Sequence, residues 1–173
     1  WALEVISTKY PISILSFEPT NGAFKDLLNE SLKHQDWRVF NLAVGPFDES
    51  KKINVAGNNQ LSSSFLDMNP IHLKAAPESK YIGSEFVKVS NINKWIDSSK
   101  KTFVKIDTQG YEMEILQGIS EEKWISILAL EVETSIVKTY EQPYLIEDVI
   151  AFLRNKGFQP YRIENGLAAK TFH

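Results

Sequence analysis

The sequence predicts an α/β domain whose doubly wound, mostly parallel sheet ends in an antiparallel C-terminal hairpin. Three observations carry that expectation. Strand-like and helix-like segments alternate along the chain, the pattern of βαβ units. The runs 102–107 and 125–132 are apolar on both alternating faces, as strands covered by helices on two sides are. The chain closes on an amphipathic helix and then Asn165-Gly166, the strongest short hairpin signal.

The elements follow in order. Residues 12–17 form a short β-branched run that closes in Glu18-Pro19. Thr20 stands where a helix cap is wanted, and Phe24, Leu27, Leu28 and Leu32 then fall on one helical stripe. Residues 37–44 predict the next strand, stopped by Gly45-Pro46. A strand over 52–56 comes next. The rest of 47–86 is polar, rich in Asn and Ser, and carries Pro70 and Pro77. It predicts a hairpin opening into a long surface excursion, a kind of loop that is usually functional or mobile. A strand over 85–89 and a short helix over 92–96 lead to the strand 102–107. The helix 111–117 follows, with Gly118 as its stop. After the strand 125–132, residues 143–156 place Leu145, Val149, Phe152 and Leu153 on one helical side, and Gly157 ends the helix. A strand over 158–163 and its return over 167–173 complete the hairpin.

At 173 residues the chain is expected to form one domain, 1–173. With 43% hydrophobic and 24% charged residues it has an ordinary globular composition. The net charge of -3 argues against nucleic acid as the partner. There is no cysteine, which excludes disulfides, thiolate metal sites and a cysteine nucleophile, and fits a reducing compartment. No apolar run approaches the roughly 18–20 residues of a membrane span. Trp1-Ala-Leu-Glu lacks the basic start of a secretion signal. A cytoplasmic protein off the membrane is therefore expected, its oligomeric state open.

The chemistry concentrates after Thr102. Lys105, Asp107 and Gln109 alternate, so all three leave the strand on one face. In open α/β sheets the carboxyl ends of the strands are where ligands bind. Lys105 either pairs with Glu131 on a neighbouring strand or contacts a ligand; Asp107, nearer the strand end, faces ligand. Glu131 and Glu133 share a face of the strand 125–132. Glu18, after the first strand, either accepts hydrogen bonds from vicinal ribose hydroxyls or is a helix-start charge. Ser62, Ser63 and Ser64 are either ligand hydroxyls or solvated loop. His34, His72 and His173 share no metal-ligand spacing and are expected to be exposed, so no metal site is expected. There is no phosphate-binding glycine loop, nucleophile elbow or Tyr-x-x-x-Lys pair.

Six blocks carry a resemblance: Ser16-Phe-Glu-Pro19, Asn41-Leu-Ala-Val-Gly45, Leu61-Ser-Ser-Ser64, Lys105-Ile-Asp-Thr-Gln-Gly-Tyr-Glu112, Leu130-Glu-Val-Glu133 and Gly157-Phe158. In type and order they resemble FkbM-type methyltransferases over nearly the whole chain. The resemblance implies a class I, Rossmann-like methyltransferase sheet and S-adenosyl-L-methionine as cofactor. It implies O-methylation of a small-molecule or glycan acceptor. Glu18 and Pro19 would meet the ribose, Asn41 and Ala43 the adenine, and Ser63 and Ser64 the flank of the cofactor pocket. Asp107, Gln109 and Glu112 would line the methyl-transfer end, Asp107 and Gln109 toward the cofactor and Gln109 and Glu112 toward the acceptor; Lys105 and Glu131 are the further catalytic candidates and Glu133 the further acceptor contact. The family's glycine-rich loop, expected before Trp1, and its closing strand, expected after His173, imply a protein that extends past both ends. A non-catalytic cofactor-binding module of the same fold and a nucleotide-sugar oxidoreductase are the alternatives.

Overall fold

The computed structural model describes residues 1–141 and 144–164. Its elements are α1 (Ala2–Ser7), β1 (Ile14–Phe17), α2 (Asn21–Ser31), β2 (Trp37–Phe40), β3 (Ala43–Gly45), β4 (Glu49–Ala56), α3 (Pro70–Ala75), β5 (Tyr81–Asn91), β6 (Thr102–Ile106), α4 (Glu112–Gly118), α5 (Glu121–Trp124), β7 (Ile127–Val132) and α6 (Ile146–Asn155). The short helix expected over 92–96 is a single 3₁₀ turn, Ile92–Lys94.

The α/β character holds, but the strands form three small sheets rather than one doubly wound sheet. β1 pairs with β2 and β6 with β7, both parallel. The third sheet has the order β3-β5-β4, with β3 parallel and β4 antiparallel to β5. The expected strand over 37–44 is broken at Asn41. There the side-chain amide donates to the carbonyls of Glu18 and Pro19, 3.1 Å each, and the Leu42 amide closes onto Phe40 O at 3.0 Å. The chain bends, so its first half pairs with β1 and its second half with β5.

The antiparallel pair is β4 with β5, and the C-terminal strand expected over 158–163 is absent. Phe158 is turned inward: its amide donates to Leu153 O at 3.0 Å, and its ring lies 5.8 Å from Trp124. Tyr161 is fully exposed, so nothing in this segment offers a sheet partner. Asn165-Gly166 and the return over 167–173 lie outside the described residues.

Residues 57–80 are also more ordered than a surface excursion. Ser64 makes an antiparallel bridge with Asn54, and Gly57 N bonds Lys80 O at 3.0 Å. α3 starts with Pro70 behind Asn69, whose side chain accepts from Ile71 N, a strong helix-start pattern.

The main core lies where α4, α5 and α6 cover β6 and β7. It includes Ile106, Met113, Ile115, Leu116, Trp124, Ile127 and Val149. Burying such side chains supplies roughly 1.5–3 kcal/mol each. The opposite face is not covered as a doubly wound sheet requires: Phe103 is 50% exposed. Trp1 stacks on it at 5.6 Å. Leu128, at the register shift between the two strands, is exposed as well. A second cluster, Ala43, Ile53, Val87 and Val89, holds the three-stranded sheet.

Candidate active site

The side chains that carry chemistry gather at the carboxyl ends of two parallel pairs. At β6 and β7, the register sets Lys105 opposite Glu131. The Lys105 ammonium lies 3.3 Å from Glu131 Oε1 and 3.5 Å from Asp107 Oδ2. Burial disfavours its charge, but the two carboxylates outweigh that and hold its pKa above the usual value. Glu131 also accepts from the Trp1 indole at 2.9 Å. It is 47% exposed, so this is a half-open bridge rather than the fully buried pair the apolar strands suggested.

Past β6 the chain turns sharply. Gln109 has φ +55° and Gly110 φ +100°, both left-handed. A Cβ at Gly110 would stand 3.0 Å from Leu66 and 3.3 Å from Tyr140, so glycine is needed for both space and conformation. Glu112 closes this turn from inside, its Oε1 accepting from Thr108 N at 2.9 Å, Thr108 Oγ1 at 3.1 Å and Gly110 N at 3.1 Å. Burial raises its pKa against those bonds. Sequence reading put Glu112 beside the acceptor; its observed partners shape the loop instead.

Gln109 joins two carboxyls. Its Nε2 donates to Asp107 Oδ1 at 3.0 Å and reaches Glu133 Oε2 at 3.5 Å. Glu133 is raised to about 8, first by its hydrogen bond to Asp107, then by burial and the Asp107 charge. Asp107 is held low: burial opposes ionisation, but the bonds from Glu133 and Gln109 and the nearby Lys105 overcome it. Asp107 is the ionised member at neutral pH and Glu133 the protonated one.

At β1 and β2 the residues are Glu18, Pro19 and Asn41. Glu18 Oε1 accepts from Thr20 N at 2.8 Å and Thr20 Oγ1 at 2.5 Å, while Oε2 has no partner among the described residues. Burial raises the Glu18 pKa against the two Thr20 bonds. Thr20 holds the cap position of α2, yet its hydroxyl serves Glu18 and not the helix. The helix start is closed from elsewhere, by Glu85 on Asn21 N at 3.0 Å and Gln60 on Ala23 N at 3.2 Å. A cavity of about 210 Å³ opens here, lined by Pro19, Asn21, Asn41, Phe86, Val87 and Lys88. Ala43 is not in its lining; it is buried in the small core.

The serines knit the two regions together. Ser62 takes the Asn58 amide at 2.9 Å, Ser63 accepts from Ala56 N at 3.1 Å, and Ser64 donates to Gln109 O at 2.7 Å. Residues 57–64 thus touch α2 through Gln60 and the turn after β6 through Ser64. The histidines are elsewhere and are not fully exposed: His34 packs on Trp37, and His72 on Tyr140 at 5.2 Å. His173 lies outside the described residues. Among the described residues no group of His, Cys, Asp and Glu is arranged to hold a metal.

Sequence reading missed Gln60, Glu85 and Tyr140. Glu85 had a faint signal, an acid inside an otherwise apolar strand end. Gln60 and Tyr140 sit in irregular segments where residue type alone carries none.

In open α/β sheets ligands bind outside the carboxyl ends of the strands, which is where these carboxylates and amides stand. Residues 6–160 match the family of the methyltransferase FkbM domain, and the chain belongs to that family. It is thus a methyltransferase by family. No curated protein and no solved structure matches it.

Proposed function

We propose that the protein is an S-adenosyl-L-methionine-dependent O-methyltransferase acting on a hydroxyl of a sugar, glycan or secondary metabolite. The observation that carries this reading is the half-satisfied carboxylate of Glu18 at the end of β1. Glu18 has one oxygen fixed by Thr20 and the other without a partner among the described residues, and the next residue, Pro19, lines the cavity. That fits a ribose, whose two hydroxyls donate to one carboxylate. Asn41 uses its amide NH₂ on the backbone, which leaves its carbonyl oxygen to face the adenine side.

When bound, the cofactor supplies an electrophilic methyl group on a sulfonium. The rest falls to the chain. Asp107, ionised and anchored by Lys105 and Gln109, accepts the acceptor's hydroxyl proton as the oxygen attacks. General-base assistance of this kind is typically worth 10²–10⁴-fold. Holding acceptor and methyl in line contributes more, roughly 7–11 kcal/mol for well-oriented reactants. Lys105 and Glu131 keep Asp107 in place and charged. Gln109 and Glu133 stand at the acceptor side. A cytoplasmic setting is part of the same reading and accords with a sequence without cysteine.

The test uses S-adenosylmethionine carrying a labelled methyl and a panel of sugar and glycan hydroxyl acceptors. Label transferred by the parent and lost in a folded Asp107→Asn variant supports the reading. Transfer by Asp107→Asn at the parent's rate removes the base. Binding of NAD in place of S-adenosylmethionine makes the domain an oxidoreductase; binding without transfer to any acceptor makes it a cofactor-binding module.

A further inference from the structure

A glutamine amide placed between a donor and a pair of carboxyls must choose its orientation, because its two ends are nearly the same shape and opposite in polarity. Gln109 is in that position. Its Oε1 lies 2.7 Å from the Tyr140 hydroxyl, and its Nε2 lies 3.0 Å from Asp107 Oδ1 and 3.5 Å from Glu133 Oε2. In the reverse orientation the carbonyl oxygen would face two carboxyls and the NH₂ would face the phenol.

We propose that Tyr140 is a positioning residue: its hydroxyl fixes the Gln109 amide with the NH₂ toward Asp107 and Glu133, and so holds the two carboxyls in their mutual geometry. The inference rests on the methyltransferase reading for its purpose and on geometry for its substance.

Three features make Tyr140 suited to this. It is only 2% exposed, so its hydroxyl is shielded from competing water. Burial raises its pKa, so it stays a donor through the neutral range. Its backbone is clamped by its neighbours, with Asn69 N on Thr139 O and Glu141 N on Asp67 O, 2.9 Å each. The hydroxyl also lies 3.4 Å from Ser62 O, a longer and weaker contact than the one to Gln109. The backbone of Gln109 is meanwhile held by Ser64 in a left-handed conformation that a glutamine adopts only under constraint. The side chain has a fixed root, and Tyr140 fixes its tip.

The experiment uses the full chain labelled with ¹⁵N and ¹³C. Two readouts are followed: the Gln109 side-chain NH₂ resonances and the titration of the Asp107 carboxyl carbon. Asp107 faces Lys105, Glu133 and Gln109, and Glu133 in turn faces Glu112. Tyr140→Phe keeps the ring and removes only the hydroxyl. The expected result is a native backbone spectrum, Gln109 NH₂ resonances that collapse toward those of free glutamine, and an Asp107 midpoint that moves up. Gln109→Met should raise the Asp107 midpoint the same way, and adding Tyr140→Phe to it should change nothing more. A Phe variant with unchanged amide resonances and an unchanged midpoint overturns the proposal, leaving Tyr140 as packing. Additive shifts in the double variant overturn it too. Should Tyr140→Phe fail to fold, Gln109→Met decides: an unmoved Asp107 midpoint sinks the idea. Calorimetry of the parent with S-adenosylhomocysteine is run alongside. Failure to bind there counts against the cofactor reading, and the amide result stands apart from it.

Discussion

Asp107 and Glu133 are shifted in opposite directions, and that has a thermodynamic consequence. Glu133 is raised to about 8 in the folded protein from an ordinary 4.5, chiefly by its bond to Asp107. The folded state therefore holds a proton that the unfolded chain releases. This group favours folding fully below about 4.5, and its contribution declines as pH climbs toward 8. Asp107 is shifted the other way, so its contribution is lost only in stronger acid. Urea midpoints at about pH 5 and about pH 9 should fall for the parent and fall less for Glu133→Gln. Equal slopes in the two proteins would show that Glu133 takes up no proton on folding. Lys105 and Glu131 give a second residue-level prediction. Side-chain exposures of 27% and 47% leave the bridge partly screened by water. A Lys105→Met, Glu131→Gln double-mutant cycle should show a coupling of about 0.2–1 kcal/mol, the range of exposed pairs. A coupling of several kcal/mol would mean the bridge is dry.

At the scale of elements, two local devices hold the site. α2 begins beneath Glu18, and its first amides are closed by Glu85 and Gln60 from the β4–β5 hairpin. A lost helix cap costs about 0.5–2 kcal/mol. Glu85→Ala should lower stability on that scale in chemical denaturation, and an unchanged midpoint would show that the contact contributes nothing. The turn after β6 depends on Gly110 at φ +100°. Gly110→Ala adds strain of order 1–3 kcal/mol and presses on Leu66 and Tyr140. The variant should unfold at lower urea and bind cofactor more weakly; wild-type stability would refute the conformational requirement. Element type was legible wherever the pattern was long and regular. β6, α4, β7 and α6 lie where the periodicity put them, because apolar spacing is a local signal. Asn41 was read as an ordinary strand residue, yet its amide bends the chain toward partners distant in sequence. α1 was not foreseen; it is only six residues long and none of them is buried.

For the whole molecule, the family was legible from six short blocks. The sheet order was not. Pairing of β3 with β5 and the clamp of 57–64 on both halves depend on contacts across tens of residues, which no local pattern encodes. The same reason hid Tyr140 and the backbone partners of Ser63 and Ser64, Ala56 N at the end of β4 and Gln109 O past β6. The central claim, that the strand ends hold S-adenosylmethionine with Glu18 on its ribose, is tested most directly by calorimetry of the parent and Glu18→Ala with that cofactor. The account predicts binding by the parent and a loss of roughly 1.5–3 kcal/mol in the variant, the scale of hydrogen bonds to a charged group, with the melting temperature of the free protein little changed. Equal affinity in the two proteins, or no binding by the parent, would contradict it.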